Sequence, residues 1–503
     1  MRLGVSKKMT KIGIISFTDP RMNLQGENEF ENDLKKNHLS LVEKLSKDNE
    51  VVNPHENLKA DNDNTYGVRS TKELFTCIDK LRDEKVNGVV LGLWKWSDPY
   101  LCVRLVKELN VPAVLYTETD SSSSGTTFLA AVAASVDELN LEAKCTRMWD
   151  DENKILDWAS TLTSDYAKQT RSDLLEDLHR SSIMLFGGSY CLRMDVLQDD
   201  IPKLKSLLIG DILQEDQYIL IQKAEKILQQ SKEVNEFKKF LEDNQANIKY
   251  GGKLIYEGTL RQQIALYLAA KERLGELEGE NISGVSIKCQ PEISEYYGVT
   301  ACMLPAFLPF GADHIGEKKI MPTVCEGDIK GLLTSVILHK LNPSIPPLFG
   351  DLKTINDDYL IIANCGASSA YYAANSNNPK EAIKNLNIEG QCQGKAGAAI
   401  GYQGKAIDEI TVARLIRING EYALHLGVGK TLDVDDKIMD TIKWGKQWPH
   451  VAISLNTDKD RFMEIVGSNH YCMTSGNYSK ELEALAKEVS IPVVRIDNLR
   501  GKK

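Results

Sequence analysis

The chain has 503 residues, 42% of them hydrophobic and 26% charged, with 61 basic against 71 acidic side chains and a net charge of −10. That length exceeds what one hydrophobic core fills and predicts about two to four domains of ordinary globular composition. An acidic balance with no basic tract excludes nucleic acid as the main partner, because phosphate binding needs a positive footprint. No apolar run reaches the roughly 18 residues of a membrane span.

The opening residues, MRLGVSKKMTKIGIISF, contain only a short apolar run before Thr18 and Asp19. They read as a first strand and not as a signal peptide. Ten cysteines are scattered without a C-x-x-C pair, which excludes zinc-ribbon spacing and a compact disulfide framework. Reduced thiols in a cytoplasmic protein are expected.

Up to about residue 176 the pattern alternates. Strands are expected at 11–17, 50–53, 86–93 and 111–116, and helices at 29–46, 71–84, 99–109 and 126–139. Such alternation predicts a parallel sheet covered by helices on both faces, flavodoxin- or Rossmann-like, with functional residues at the strand C-terminal ends. Those ends carry Asp19-Pro20-Arg21, Trp94-Lys95-Trp96 and Thr117-Glu118-Thr119. A charged helical connection over 150–180 leads to a second α/β domain, 177–348. It has strands at 182–186 and 284–289, long helices at 215–245 and 256–277, and a helix at 291–297. From 349 to 503 the pattern turns to short β-rich runs at 359–364, 389–393, 410–418, 422–427 and 450–455. They predict a mostly antiparallel C-terminal barrel or sheet.

The stretch 320–352 joins these last two parts. Glu326 precedes an amphipathic helix in which Ile329, Leu332, Leu333, Val336 and Ile337 recur at helical spacing. Asn342, Pro343, Pro346 and Pro347 end it, and the chain re-enters as Leu348-Phe349-Gly350 with a second acid, Asp351. A helix of about 15 residues spans only about 22 Å, so the two carboxylates are able to meet. Each acid alone has an ordinary explanation, Glu326 as a partner of the helix dipole and Asp351 as a turn residue. His470, in Gly467-Ser468-Asn469-His470-Tyr471, is read as a polar turn and a candidate ligand. Two carboxylates and one imidazole form a hard set suited to Mn²⁺ or Mg²⁺ with open positions. The segment Gly427-Val428-Gly429-Lys430-Thr431 has Leu424 where a phosphate loop needs glycine, so nucleotide hydrolysis is excluded.

Taken together, Lys11-Ile12-Gly13-Ile14 with Asp19-Pro20-Arg21, Cys325-Glu326-Gly327-Asp328-Ile329, Phe349-Gly350-Asp351 and Asn469-His470 resemble the L-fucose isomerase and L-arabinose isomerase superfamily. The likeness is greatest to its L-fucose isomerase type. The resemblance implies a metal-dependent aldose–ketose isomerase acting on L-fucose or a related sugar such as D-arabinose, with L-arabinose or a modified hexose as alternatives. It implies that Glu326, Asp351 and His470 hold the metal, Mn²⁺ first and Mg²⁺ or Co²⁺ otherwise. Arg21, Trp94, Gln290, Tyr422, Trp448 and Asn469 would then line the sugar. It further implies a hexamer in which Arg21 and Trp94 act on a neighbour's site. On this reading the metal polarises O1 and O2 of the open-chain aldose, and Glu326 and Asp351 move a proton between C2 and C1 through a cis-enediol. A non-catalytic sugar-binding protein is the rival.

Overall fold

The computed structural model describes residues 10–21, 27–58, 66–119, 124–162, 171–251, 254–497 and 499. The first nine residues, expected to lead into the first strand, and residues 163–170 of the expected connection lie outside them. The chain divides into two compact units, Met1–Arg171 with Gly279–Asn281, and Ser172–Glu278 with Ile282–Lys503.

In the first unit, strands β1 (Lys11–Ser16), β2 (Glu50–Val52), β3 (Gly88–Gly92), β4 (Ala113–Thr117) and β5 (Cys145–Trp149) form one sheet in the order β2-β1-β3-β4-β5. All its pairings are parallel. That order is the flavodoxin-like one, with its switch point between β1 and β3. Helices α1 (Glu27–Leu45), α2 (Thr71–Asp83), α3 (Pro99–Leu109), α4 (Gly125–Glu138) and α5 (Asn153–Thr161) accompany the strands. Strand β5 was not expected. It is an edge strand whose Thr146, Arg147 and Trp149 are exposed, so it lacks the apolar run that announces β3 and β4.

The second unit begins with α6 (Asp173–Arg180), β6 (Ser182–Phe186), α7 (Ile201–Leu207), β7 (Asp211–Glu215), α8 (Tyr218–Gln230) and α9 (Lys232–Asp243). A short β8 (Asn247–Ile248), the long α10 (Glu257–Glu276) and β9 (Ile282–Ile287) follow. Next come α11 (Met303–Phe307), a small hairpin of β10 (Ala312–Asp313) and β11 (Gly316–Glu317), and β12 (Thr323–Cys325). A parallel sheet runs β12-β9-β6-β7. The expected helix over 291–297 is a single π-turn, Glu292–Tyr297.

Helix α12 (Ile329–Leu341) is buried from Ile329 through Leu338, including Lys330. It is therefore buried on all sides rather than along one stripe, the mark of a helix enclosed by protein. It packs on β9 of the parallel sheet and on strands of the barrel that follows.

That barrel contains β13 (Leu348–Ile355), β14 (Leu360–Ala363), β17 (Ile407–Ile418), β18 (Glu421–Leu432), β19 (His450–Leu455) and β20 (His470–Ser475). The order β17-β20-β13-β14-β19-β18 closes through β17–β18 pairing, every pair antiparallel. Closure removes the exposed edges an open sheet would leave. A short β21 (Val493–Arg495) adds to β18 in parallel. Strands β15 (Asn387–Gly390) and β16 (Ala398–Gly401) form a separate three-stranded sheet with β8.

Candidate active site

Glu326 directly follows β12 and is bound through its backbone N–H to the Ile287 carbonyl of β9. It is a non-glycine residue at φ +65, followed by Gly327 at φ +67. Such left-handed pairs cost free energy and persist where the surroundings enforce them. Position 327 must be glycine, because a Cβ there would come 2.3 Å from the Gly188 carbonyl oxygen. The helix cap is not Glu326 but Asp328, whose side chain accepts a hydrogen bond from the Gly331 N–H.

Asp351 and His470 are cross-strand partners on β13 and β20. His470 was expected in a turn but opens a barrel strand and is fully buried. Its Nε2 lies 3.2 Å from Glu326 Oε2 and 3.3 Å from Asp351 Oδ1. The structure thus gathers all three expected ligands around one imidazole nitrogen. Asn469 joins them, its Nδ2 donating to Asp351 Oδ1 at 3.1 Å.

Behind His470 is a pair that sequence reasoning missed. Asp328 Oδ2 is 2.8 Å from His470 Nδ1. Arg414 of β17 clasps the same carboxylate with Nη1 to Oδ2 at 2.6 Å and Nη2 to Oδ1 at 3.0 Å. Gly331 leaves room for the clasp, because a Cβ there would come 2.6 Å from Arg414 Nη1. Burial alone would raise the Asp328 carboxyl, but Arg414 and His470 outweigh it and hold it well below the usual carboxylate range. For His470, burial favours the neutral ring, yet Asp351, Asp328 and Glu326 together raise it well above an ordinary imidazole. The signal available in sequence was Arg414 itself, a charge inside an apolar strand run, which must be paired when buried.

Asn469 Oδ1 is buried without a hydrogen-bond partner among the described residues, and Glu326 Oε2 faces His470 Nε2 at 3.2 Å. Converging carboxylates, an imidazole fixed from behind by a carboxylate and an orphaned amide oxygen fit a hard divalent cation. His470 Nε2, with Glu326 Oε2, Asp351 Oδ1 and Asn469 Nδ2 all within 3.3 Å, faces the place where such a cation would bind.

The other expected contacts are placed as follows. Gln290 shares a narrow cleft with Glu326, Cys325, Cys365 and Gln393, and its Nε2 donates to Gln393 Oε1 at 3.1 Å. Trp448 is 3% exposed, and its indole N–H donates to Gln391 Oε1 at 2.9 Å. Gln391 in turn donates to the Cys365 carbonyl. Tyr422 is directed elsewhere, its hydroxyl accepting from the Asp200 N–H at 3.1 Å. Cys325, Glu326 and Cys365 form a second set of ligand-type atoms, all within 4.8 Å of one another. Hydrogen bonding to Cys365 lowers the Cys325 thiol, but burial and the nearby carboxylates push it up to about 12. All ten cysteines are free thiols.

In the first unit a cleft of about 680 Å³ lies beyond the ends of β1 and β3, lined by Asp19, Arg21, Arg69, Lys95 and Trp96 among others. Arg21 is exposed and paired with Asp19. Trp94 is 3% exposed and buried in that unit's core. Its indole N–H donates to Ser16 Oγ at 3.0 Å. Among the described residues no helix is long and apolar enough to cross a membrane.

Residues 362–497, most of the barrel, match the family model for the L-fucose isomerase C-terminal domain. A sulfoquinovose isomerase of Alkalicoccus urumqiensis is 25% identical over 244 residues, 48% of this chain and 50% of that protein. Sulfoquinovose isomerases of Priestia aryabhattai and Priestia megaterium are each 25% identical over 222 residues, 43% of this chain and 44% of theirs. The matches thus span half or less of these relatives. The barrel match and the similarity to these isomerases over about half the chain support an L-fucose isomerase-like relationship.

Proposed function

We propose that the protein is a metal-dependent aldose–ketose isomerase and that Glu326, Asp351 and His470 are its metal ligands. The observation that carries this reading is the approach of both carboxylates to His470 Nε2, with Nδ1 held by Asp328. A divalent cation, Mn²⁺ first, would act as a Lewis acid toward the two oxygens of the reacting carbons. Around it, Asp328 fixes the imidazole tautomer and ring orientation, and Arg414 fixes Asp328. Asn469 orients the Asp351 carboxylate by hydrogen bonding. Glu326 and Asp351 are assigned the acid–base work, one removing the C2 proton of the open-chain aldose and the pair returning a proton at C1 through a cis-enediol. Gln290 and Trp448 are assigned to the sugar, and Arg21 to the sugar of a neighbouring subunit in a hexamer.

L-fucose or D-arabinose is the proposed substrate class. A modified hexose is the second reading, favoured by the relatives named sulfoquinovose isomerase. The test is conversion of L-fucose, D-arabinose, L-arabinose and sulfoquinovose by chelator-stripped protein before and after addition of Mn²⁺. Mn²⁺-dependent ketose formation that Glu326→Gln abolishes is the expected result. Tight sugar binding that needs no metal, with no turnover on any sugar, would replace the isomerase by a sugar-binding protein.

A further inference from the structure

Two residues beyond Asp351 on β13 is a lysine that the sequence did not single out. The β13–β14 register steps from Leu352 opposite Ile362 to Thr354 opposite Ile361, leaving Lys353 as the extra residue of a bulge. Bulges re-aim side chains and gather beside functional sites. The Lys353 ammonium lies 4.4 Å from the ring centroid of Trp444 and 4.4 Å from that of Trp448. The two indoles stand edge to face with centroids 4.5 Å apart. Among the described residues no carboxylate lies within ion-pair distance of Lys353, and no acceptor holds its ammonium.

A cation resting on two aromatic faces is attracted by their electron-rich surfaces, but its charge is not neutralised as it would be by a carboxylate. Its N–H donors stay available. Trp444 and Lys353 are both reachable from solvent, Trp444 at 53% exposure and Lys353 half-buried. The patch is also tied to the acid cluster from two sides. Along β13 it is about 7 Å from Asp351, comparable to the length of a six-carbon chain. Through Trp448, Gln391 and Cys365 it connects to Glu326, since the Cys365 thiol contacts Glu326 Oε1 at 3.6 Å.

We propose that Lys353, seated on Trp444 and Trp448, is a specificity-determining residue that binds an anionic substituent, a sulfonate or a phosphate, at the end of the sugar remote from the reacting carbons. Trp444 supplies the open apolar surface for the carbon chain, Trp448 backs the ammonium from inside, and the ammonium donates to the anionic oxygens. This assignment rests on the isomerase reading, and the experiment separates the two. Wild type, Lys353→Gln and Lys353→Arg are compared on D-glucose, 6-deoxy-6-sulfo-D-glucose and D-glucose 6-phosphate. Turnover is read together with binding, followed by the tryptophan fluorescence that Trp444 and Trp448 report.

The expected result is that Lys353→Gln lowers the ratio of anionic to neutral kcat/KM about 10- to 100-fold, chiefly through KM, as loss of a hydrogen bond to a charged group predicts. Lys353→Arg should restore part of it. Whichever anionic sugar suffers the larger loss is the one recognised. An unchanged ratio, or equal losses on neutral and anionic sugars, overturns the assignment and leaves the isomerase reading standing. If wild type converts none of these three sugars, the isomerase reading is decided by the L-fucose, D-arabinose and L-arabinose panel, and binding decides the anion site. Weaker sulfonate or phosphate binding in Lys353→Gln, with neutral-sugar affinity less affected, sustains the anion site, and equal affinities end it.

Discussion

Asp328 and His470 are 142 positions apart in sequence and 2.8 Å apart in space. The carboxylate that caps α12 is also the one that fixes the imidazole and is clasped by the fully buried Arg414. One side chain therefore serves the helix terminus, the sheet-to-barrel packing and the candidate metal centre. Asp328→Asn is expected to weaken Mn²⁺ binding about 10- to 100-fold, the usual effect of losing a carboxylate behind a ligating histidine. It should also cost about 3–5 kcal/mol of stability, because Arg414 is left buried and unpaired. Calorimetric metal titration and denaturant unfolding read the two effects separately. A variant that binds Mn²⁺ as tightly as wild type would remove Asp328 from the site.

The backbone at Glu326 depends on the glycine that follows it. Gly327 has φ +67, and a Cβ would meet the Gly188 carbonyl oxygen at 2.3 Å and Ser189 Cα at 2.8 Å. Gly327→Ala should cost at least about 1–2 kcal/mol from the left-handed conformation alone and should displace Glu326. Urea unfolding checks the first expectation. Mn²⁺ affinity checks the second, and wild-type values in both measurements would refute the account.

Binding of a cation to Glu326, Asp351 and His470 should appear as stability. At about 100 times its dissociation constant a single-site ligand adds about 2.7 kcal/mol, so Mn²⁺ should raise the thermal midpoint of the chelator-stripped protein. His470→Ala should lose that response. A midpoint indifferent to Mn²⁺ in the wild type would argue against the centre.

The first unit should be acid-sensitive for a separate reason. Burial, reinforced by His55, lowers His38 to about 3, and burial lowers His55 to about 4, against an ordinary 6.5. Unfolding lets both rings take up protons that the fold refuses. Their contribution is therefore complete above pH 6.5 and declines as pH falls toward 4, by up to about 1.4 kcal/mol per pH unit for each ring. Equilibrium unfolding at pH 7, 6 and 5 measures the slope, and constant stability over that range would exclude this origin.

The sequence by itself determined a good deal. The apolar runs of β1, β3, β4 and β6 and the helical periodicities between them are local properties, and they placed the flavodoxin-like sheet and the break into β-rich structure after Asp351. Helix α3 was expected over the residues it occupies, and in the structure Pro99 stands in its first turn and Asn110 is its left-handed C-cap. The three ligand-type residues were recognisable from their chemistry and order.

What only the tertiary structure decided were relationships between distant segments. His470 looked like a turn because Gly467, Ser468 and Asn469 precede it, and its strand character comes from pairing with Asp351. Helix α12 looked amphipathic because Ile329, Leu332, Leu333, Val336 and Ile337 recur on one face, yet the opposite face is buried too, with Lys330 held inside by an ion pair to Asp199. Asp328 and Lys353 carry no local signature, since a cap and a bulge lysine each look ordinary alone, and Arg414, a charge in an apolar strand, signals that it needs a partner but not which one. Their roles arise from electrostatics and steric fit across contacts that periodicity cannot encode, and those contacts exist only once the sheet, the helix and the closed barrel have packed together.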